Sequence, residues 1–214
     1  MIEATLPQVA GFLLAAVLIT VTPGPDNLSV LSLGLSRGRP AGIGFGLGCS
    51  LGCFTHTLWA ALGVTALIAA SPMAFQLLKL AGALYLLWLG WQCLVSDGAK
   101  FTPEAGTGAE PVPMRTYLAR GFIANAINPK VALFFLAFLP QFVDPSRGAA
   151  GAQTALLGTL FAAQTVVIFG AIGYYAGAIG NWLRGRSSVG RWLDRATGML
   201  FIGLGVRLAL AERL

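Results

Sequence analysis

Six stretches of the sequence, 7–33, 41–70, 73–95, 116–140, 150–181 and 191–211, are apolar for at least the thickness of a lipid bilayer. About 20 apolar residues suffice for a helix to cross the hydrocarbon layer, and any excess length is taken up by tilt. A chain of 214 residues with six such runs has little left to build anything else. Its composition fits: 56% of residues are hydrophobic and 10% charged, and mean hydropathy is +0.75. A soluble domain carries about 25% charged residues, so this chain could not cover a water-facing surface. The expected fold is all-α, a polytopic membrane protein with six transmembrane helices.

The connections are short except for residues 96–115, SDGAKFTPEAGTGAEPVPMR, whose proline, glycine and charge mark a solvated linker. This linker divides the chain into three-helix units at 1–95 and 116–214. The net charge is +6. In a soluble protein that excess would suggest nucleic acid, but here it lies in short connections, where it sets orientation instead. Arg37, Arg39, Lys100, Arg115, Arg184, Arg186 and Arg191 fall on one side, with Arg120 and Arg195 at the start of the following spans. Only Arg147 and Arg213 fall on the other side, with Lys79 and Arg207 within spans. Basic loops stay cytoplasmic, which puts the linker inside and both termini in the periplasm. Only Glu3 is charged ahead of the first run, and no signal-peptide pattern is present, so that run is expected to stay in the mature protein.

An odd number of spans per half inserts the second half upside down, as in transporters built from inverted repeats. Two pairs of segments carry the symmetry. KLAGALYLLWLGW at 79–91 aligns with RATGMLFIGLGVR at 195–207. TPGPDN at 22–27 aligns with NAINPK at 125–130, matching Pro25 to Pro129 and Asp26 to Lys130. Proline removes a backbone N–H and clashes with the preceding turn. Inside a bilayer the carbonyls it frees are tolerated only against protein or a water-filled cavity. A charge at the centre of a span costs about 2.5–3.5 kcal/mol on insertion scales. Paired breaks in corresponding spans, each followed by a charge of opposite sign, therefore point to a binding site between the two halves. Pro23, Gly24, Pro25 and Pro129 form the breaks, and Asp26 and Lys130 supply the charge. The plainer reading is that GPD and NPK restart helices, with Asp26 merely complementing a helix N-terminus.

Five segments resemble the lysine exporter (LysE/RhtB) family of amino-acid exporters. They are TPGPDNL at 22–28, GIGFGLGCSLG at 42–52, KLAGALYLLWLG at 79–90, NPKVALFFLAFLPQFV at 128–143 and GMLFIGLGVRLAL at 198–210. The resemblance implies a six-helix carrier of the bacterial inner membrane that expels amino acids or related small metabolites, driven by the proton gradient. Its two motifs fall on Thr22, Pro23, Gly24, Pro25 and Asp26, and on Asn128, Pro129 and Lys130. The exported side chain stays open. The partners expected are an amino-acid substrate, protons and the lipid bilayer, with no cofactor and no nucleic acid.

Further polar residues in the spans are candidates for the same path: Asn125, Gln164 and His56, the only histidine. A simple interhelical hydrogen bond would account for each equally well. Cys49, Cys53 and His56 share one helix face at i, i+4 and i+7, a thiolate and imidazole set suited to a soft metal and hence to metal efflux. Against that, cysteines in apolar spans are usually packing residues. Glycines 42, 44, 46, 48 and 52 favour tight helix contact, and such faces would allow a homodimer. Trp59, Trp88, Trp91, Trp182 and Trp192 read as interfacial anchors. No HExxH or Walker motif is present, so a carrier is expected rather than a membrane enzyme or an ATPase.

Overall fold

A computed structural model describes residues 5–64, 71–96, 112–183 and 187–210, and every regular element among them is helical. The helices are α1 (Leu6–Val21), α2 (Pro25–Ser36), α3 (Arg39–Trp59), α4 (Pro72–Leu94), α5 (Met114–Ala126), α6 (Pro129–Leu133), α7 (Ala150–Tyr174), α8 (Ala176–Leu183) and α9 (Ser187–Leu210). Five of them carry proline in the first two positions, where the missing N–H has no intrahelical partner to lose. Most of the linker, and the basic residues Lys100, Arg184, Arg186 and Arg213, lie outside the described residues.

The first and fourth expected spans are broken helices. α1 and α2 meet at 54° and α5 meets the Pro129–Phe142 segment at 50°. α3, α4 and α7 are long and apolar enough to cross a membrane, as is each bent pair taken as one span, which makes five. The sixth expected span, α9, has 24 residues, or about 36 Å of helix at 1.5 Å per residue. It has the length, but its most apolar stretch carries three charges, Asp194, Arg195 and Arg207. The second and fifth expected spans are also less uniform than their composition suggests. α3 passes into a π-turn at Ala60–Val64. Tyr175 interrupts the fifth span between α7 and α8.

α3 lies at the centre. Its glycines let α5 and α7 approach to backbone contact. A Cβ on Gly52 would lie 2.8 Å from the Cβ of Asn125, and one on Gly48 would strike the carbonyl of Leu118. The register rises together along both helices, so α3 and α5 run parallel. A Cβ on Gly46 would lie 2.8 Å from Phe169 Cβ, and one on Gly42 3.1 Å from Gly173 Cα, so α7 runs antiparallel. α4 and α9 cross at Gly90 and Gly198, each glycine within 2.8 Å of the other's carbonyl once a Cβ is added. The larger apolar core gathers Phe12, Phe134, Phe135, Phe138, Phe142 and Phe161, and a smaller one gathers around Val30, Phe45, Tyr117 and Phe169. Large apolar side chains such as Leu14, Phe54, Leu58 and Val167 stay exposed on the outside, as a lipid-facing surface requires.

Candidate functional site

The candidate site lies where the two breaks meet. α1 ends when Thr22 turns back on its own helix, giving both its N–H (3.1 Å) and its hydroxyl (2.7 Å) to the Leu18 carbonyl. The next carbonyls have no helical donor because α2 does not start until Pro25. Two side chains satisfy those of Thr20 and Thr22. Asn27 Nδ2 donates to the Thr20 carbonyl at 2.6 Å, and Lys130 Nζ donates to the Thr22 carbonyl at 2.8 Å. The ammonium thus sits at the C-terminal, negative end of the α1 dipole. It also lies 5.6 Å from the ring centre of Phe201 on α9.

The other half answers in kind. Asn125, in the last turn of α5, donates its Nδ2 to Asp26 Oδ2 at 2.8 Å. Asp26 lies in the first turn of α2, where a negative charge is favoured. The orientation of the Asn125 amide is then set, since turning it over would place its oxygen against the carboxylate. Its Oδ1 has no hydrogen-bond donor and lies toward Gly52, where a Cβ would come within 2.9 Å of it. His56 Nε2 bonds the main-chain oxygen of Asn125 at 2.8 Å, holding the end of α5 from α3. Asn128 caps the restarted helix, its Oδ1 accepting from Lys130 N at 3.0 Å. Gly24 leaves room for the lysine, because a Cβ there would lie 3.2 Å from Lys130 Nζ.

Asp26 is 5% exposed and Lys130 9%, so both charges are withdrawn from lipid. They line one cavity without forming an ion pair within 4.0 Å among the described residues. Gly24, Asn27, Asn125 and Asn128 share that lining, with Thr20 and Thr165 on another wall and Ile19, Val131, Phe161 and Phe169 as its apolar part. The space open to water centres is about 20 Å³, roughly that of a single water.

Of the residues expected from the sequence, Asp26, Lys130, Asn125, Asn128 and Gly24 line the cavity. Thr22, His56 and Gln164 do not, but each bonds a residue that does or an oxygen beside it. Thr20, Asn27 and Thr165 were not expected. Asn27 had a signal, since it directly follows the break and a side-chain amide there can reach freed carbonyls. The metal alternative has no support. Cys53 Sγ turns to the Cys49 carbonyl at 3.4 Å, the imidazole is taken up by Asn125, and no group of three or more His, Cys, Asp or Glu able to hold a metal occurs among the described residues.

The model of the LysE type translocator family matches residues 17–212, which takes in both breaks and every residue that lines the cavity. The chain belongs to the LysE type translocator family. It is a membrane transporter, as its relatives' names agree. It is 30% identical over 198 residues to a leucine efflux protein of Enterobacter sp., covering 92% of this chain and 93% of that one. It is 29% identical over 201 residues to a homoserine/homoserine lactone efflux protein of Salmonella typhimurium, covering 94% and 95%. It is 34% identical over 202 residues to an uncharacterized membrane protein of Vibrio cholerae, covering 94% and 96%. No solved structure matches the chain.

Proposed function

We propose that this translocator is a proton-coupled exporter of small neutral amino acids across the bacterial inner membrane. The observation that carries the reading is the lining of the cavity, which holds one carboxylate, Asp26, and one ammonium, Lys130, that are close but not paired. An amino acid presents the complementary pair. Its α-ammonium would go to Asp26, and its α-carboxylate to Lys130, which spends one of three donors on Thr22 and keeps two. No third charged residue lines the cavity among the described residues, so a charged side chain would be left buried and unpaired. The names of the leucine and homoserine relatives support the same class. Asp26 is the group that would exchange a proton for substrate, releasing the ammonium when it is protonated.

The chain would work as two inverted repeats, residues 1–95 and 116–214, with α9 as a sixth span, the linker cytoplasmic and both termini periplasmic. The packing supports this. The contacts Gly42–Gly173 and Thr57–Gly158 set α3 antiparallel to α7, as the second and fifth spans of an inverted repeat would lie. Counterflow in proteoliposomes with a panel of amino acids tests the function. Accumulation of labelled neutral amino acids, and none of lysine or glutamate, is expected. Uptake of only charged amino acids would refute the reading.

A further inference from the structure

Pro129 leaves one main-chain oxygen of α5 without its helical partner. In an α-helix the carbonyl of Asn125 accepts from the N–H four residues on, and the proline at 129 has none. The Asn128 N–H, three residues on, takes one lone pair of that oxygen at 2.9 Å. The other is met from α3, by His56 Nε2 at 2.8 Å. A carbonyl oxygen only accepts, so Nε2 carries the imidazole proton in this bond. His56 and Asn125 are 4% and 1% exposed, so each serves the other in place of water.

The same face of α3 also receives the Asn125 side chain. Gly52 lies one turn before His56, and a Cβ added there would come 2.8 Å from Asn125 Cβ and 2.9 Å from its Oδ1. Asn125 is thus seated against bare backbone and tied at its carbonyl by the imidazole. Its Oδ1 has no donor, and a buried polar atom left unmet is costly. The amide nevertheless stays on Asp26, with Nδ2 at 2.8 Å from Oδ2. We propose that His56 is a positioning residue for Asp26: its Nε2–H stands in for the N–H that Pro129 lacks, fixes the end of α5 and so keeps the Asn125 amide on the carboxylate. The inference rests on the carrier reading above, in which Asp26 receives the α-ammonium of the substrate. Asn125 engages one carboxylate oxygen and leaves the other to that ammonium. His56 does not line the cavity and acts only through Asn125.

Counterflow in proteoliposomes containing the full chain tests this, with labelled leucine, homoserine, threonine and alanine as probes. KM is the quantity to follow, because it does not depend on how much protein is inserted. His56→Gln places an amide N–H near the level of Nε2 and should hold KM within about twofold of wild type. His56→Asn carries the same amide on a side chain too short to reach, and His56→Leu carries no donor. Both should raise KM at least tenfold. Asn125→Ser withdraws the amide from Asp26 but keeps the main-chain oxygen. Adding His56→Leu to it should raise KM by less than a further twofold, because the group through which His56 acts is already gone. If His56 only fills space or holds helices together, His56→Leu lowers the melting temperature in detergent and leaves KM unchanged, which overturns the proposal. A full tenfold effect of His56→Leu in the Asn125→Ser background also overturns it. Counterflow of none of the four probes by the wild-type protein is a different result: it overturns the carrier reading, and the positioning role with it.

Discussion

At the first break the chain reads Thr22-Pro23-Gly24-Pro25-Asp26 and bends by 54°; at the second it reads Ile127-Asn128-Pro129-Lys130 and bends by 50°. The backbone device is shared, a helix restarted by proline, but the chemistry is complementary. The first break presents a carboxylate and open carbonyls, and the second presents an ammonium and an amide. Each is completed by the other: Lys130 covers the Thr22 carbonyl and Asn125 covers Asp26. The helices restarted after them also differ. Beyond the first break α2 runs as 12 residues of regular helix and turns at Gly38, whose φ of 86° suits glycine. Beyond the second, α6 lasts five residues and gives way to a π-turn at Phe134–Phe138 and a 3₁₀ turn at Leu139–Phe142. The first half thus supplies a regular arm and the second an irregular one, joined by polar contacts that neither half can make alone.

The largest expected effect comes from making the two breaks less unlike in charge. Asp26→Asn keeps size and hydrogen bonding but removes the carboxylate. Export driven by an imposed pH gradient in vesicles should fall at least a hundredfold, about 2.7 kcal/mol of barrier, while some substrate exchange persists. An unchanged rate and pH dependence would reduce Asp26 to a helix cap.

The breaks face each other only because α5 lies against α3, with Gly121 against the Phe45 carbonyl. Gly121→Val should overpack that contact and lower stability by about 1–3 kcal/mol. Gly203→Ala on α9, where an added Cβ meets nothing within 4 Å, should leave the melting temperature in detergent unaltered. Equal behaviour of the two variants would mean that the α3–α5 contact is not what brings the breaks together.

The caps give a smaller contrast. Asn128→Ala removes the side-chain cap of α6 and should cost about 1 kcal/mol. Gly24, the corresponding residue before α2, offers no side-chain cap, so Gly24→Ala should act through crowding of Lys130 and lower transport more than stability. Chemical denaturation beside counterflow separates the two outcomes.

The smallest effect lies in the turn after the second broken span, which has no equivalent after the first. The Ser146 hydroxyl and backbone N–H, with Arg147 contributing less, hold the exposed Asp144 carboxyl below its ordinary value of 3.8. A lowered folded pKa contributes stability above the unfolded pKa and loses it as pH falls through the folded one. Asp144→Asn should therefore melt slightly lower than wild type near neutrality, with the gap closing below about pH 4. A gap that persists at low pH would show that the carboxyl charge does not hold the turn.

What could be read along the chain was local. Hydropathy is a property of each residue, and the cost of leaving backbone groups unpaired in lipid turns it into helices. Proline lacks an N–H wherever it stands, so TPGPDN and NPK announced two breaks, and Asp26 and Lys130 announced buried charge. The partners were a different matter. Lys130 meets Thr22 across 108 residues, Asn125 meets Asp26 across 99, and Gln164 meets Thr20 across 144. Thr20 and Thr165 look like any threonines in a helix, and only the packing of α1 on α7 sets them on a cavity wall. The Cys49, Cys53 and His56 face was legible as a helix face, but its use was not, because the imidazole's partner is a main-chain oxygen on α5. Which groups meet depends on how closely helices approach. Here that is decided by glycines whose missing Cβ atoms let α3 touch α5 and α7, a consequence of three surfaces at once that no single stretch of sequence contains.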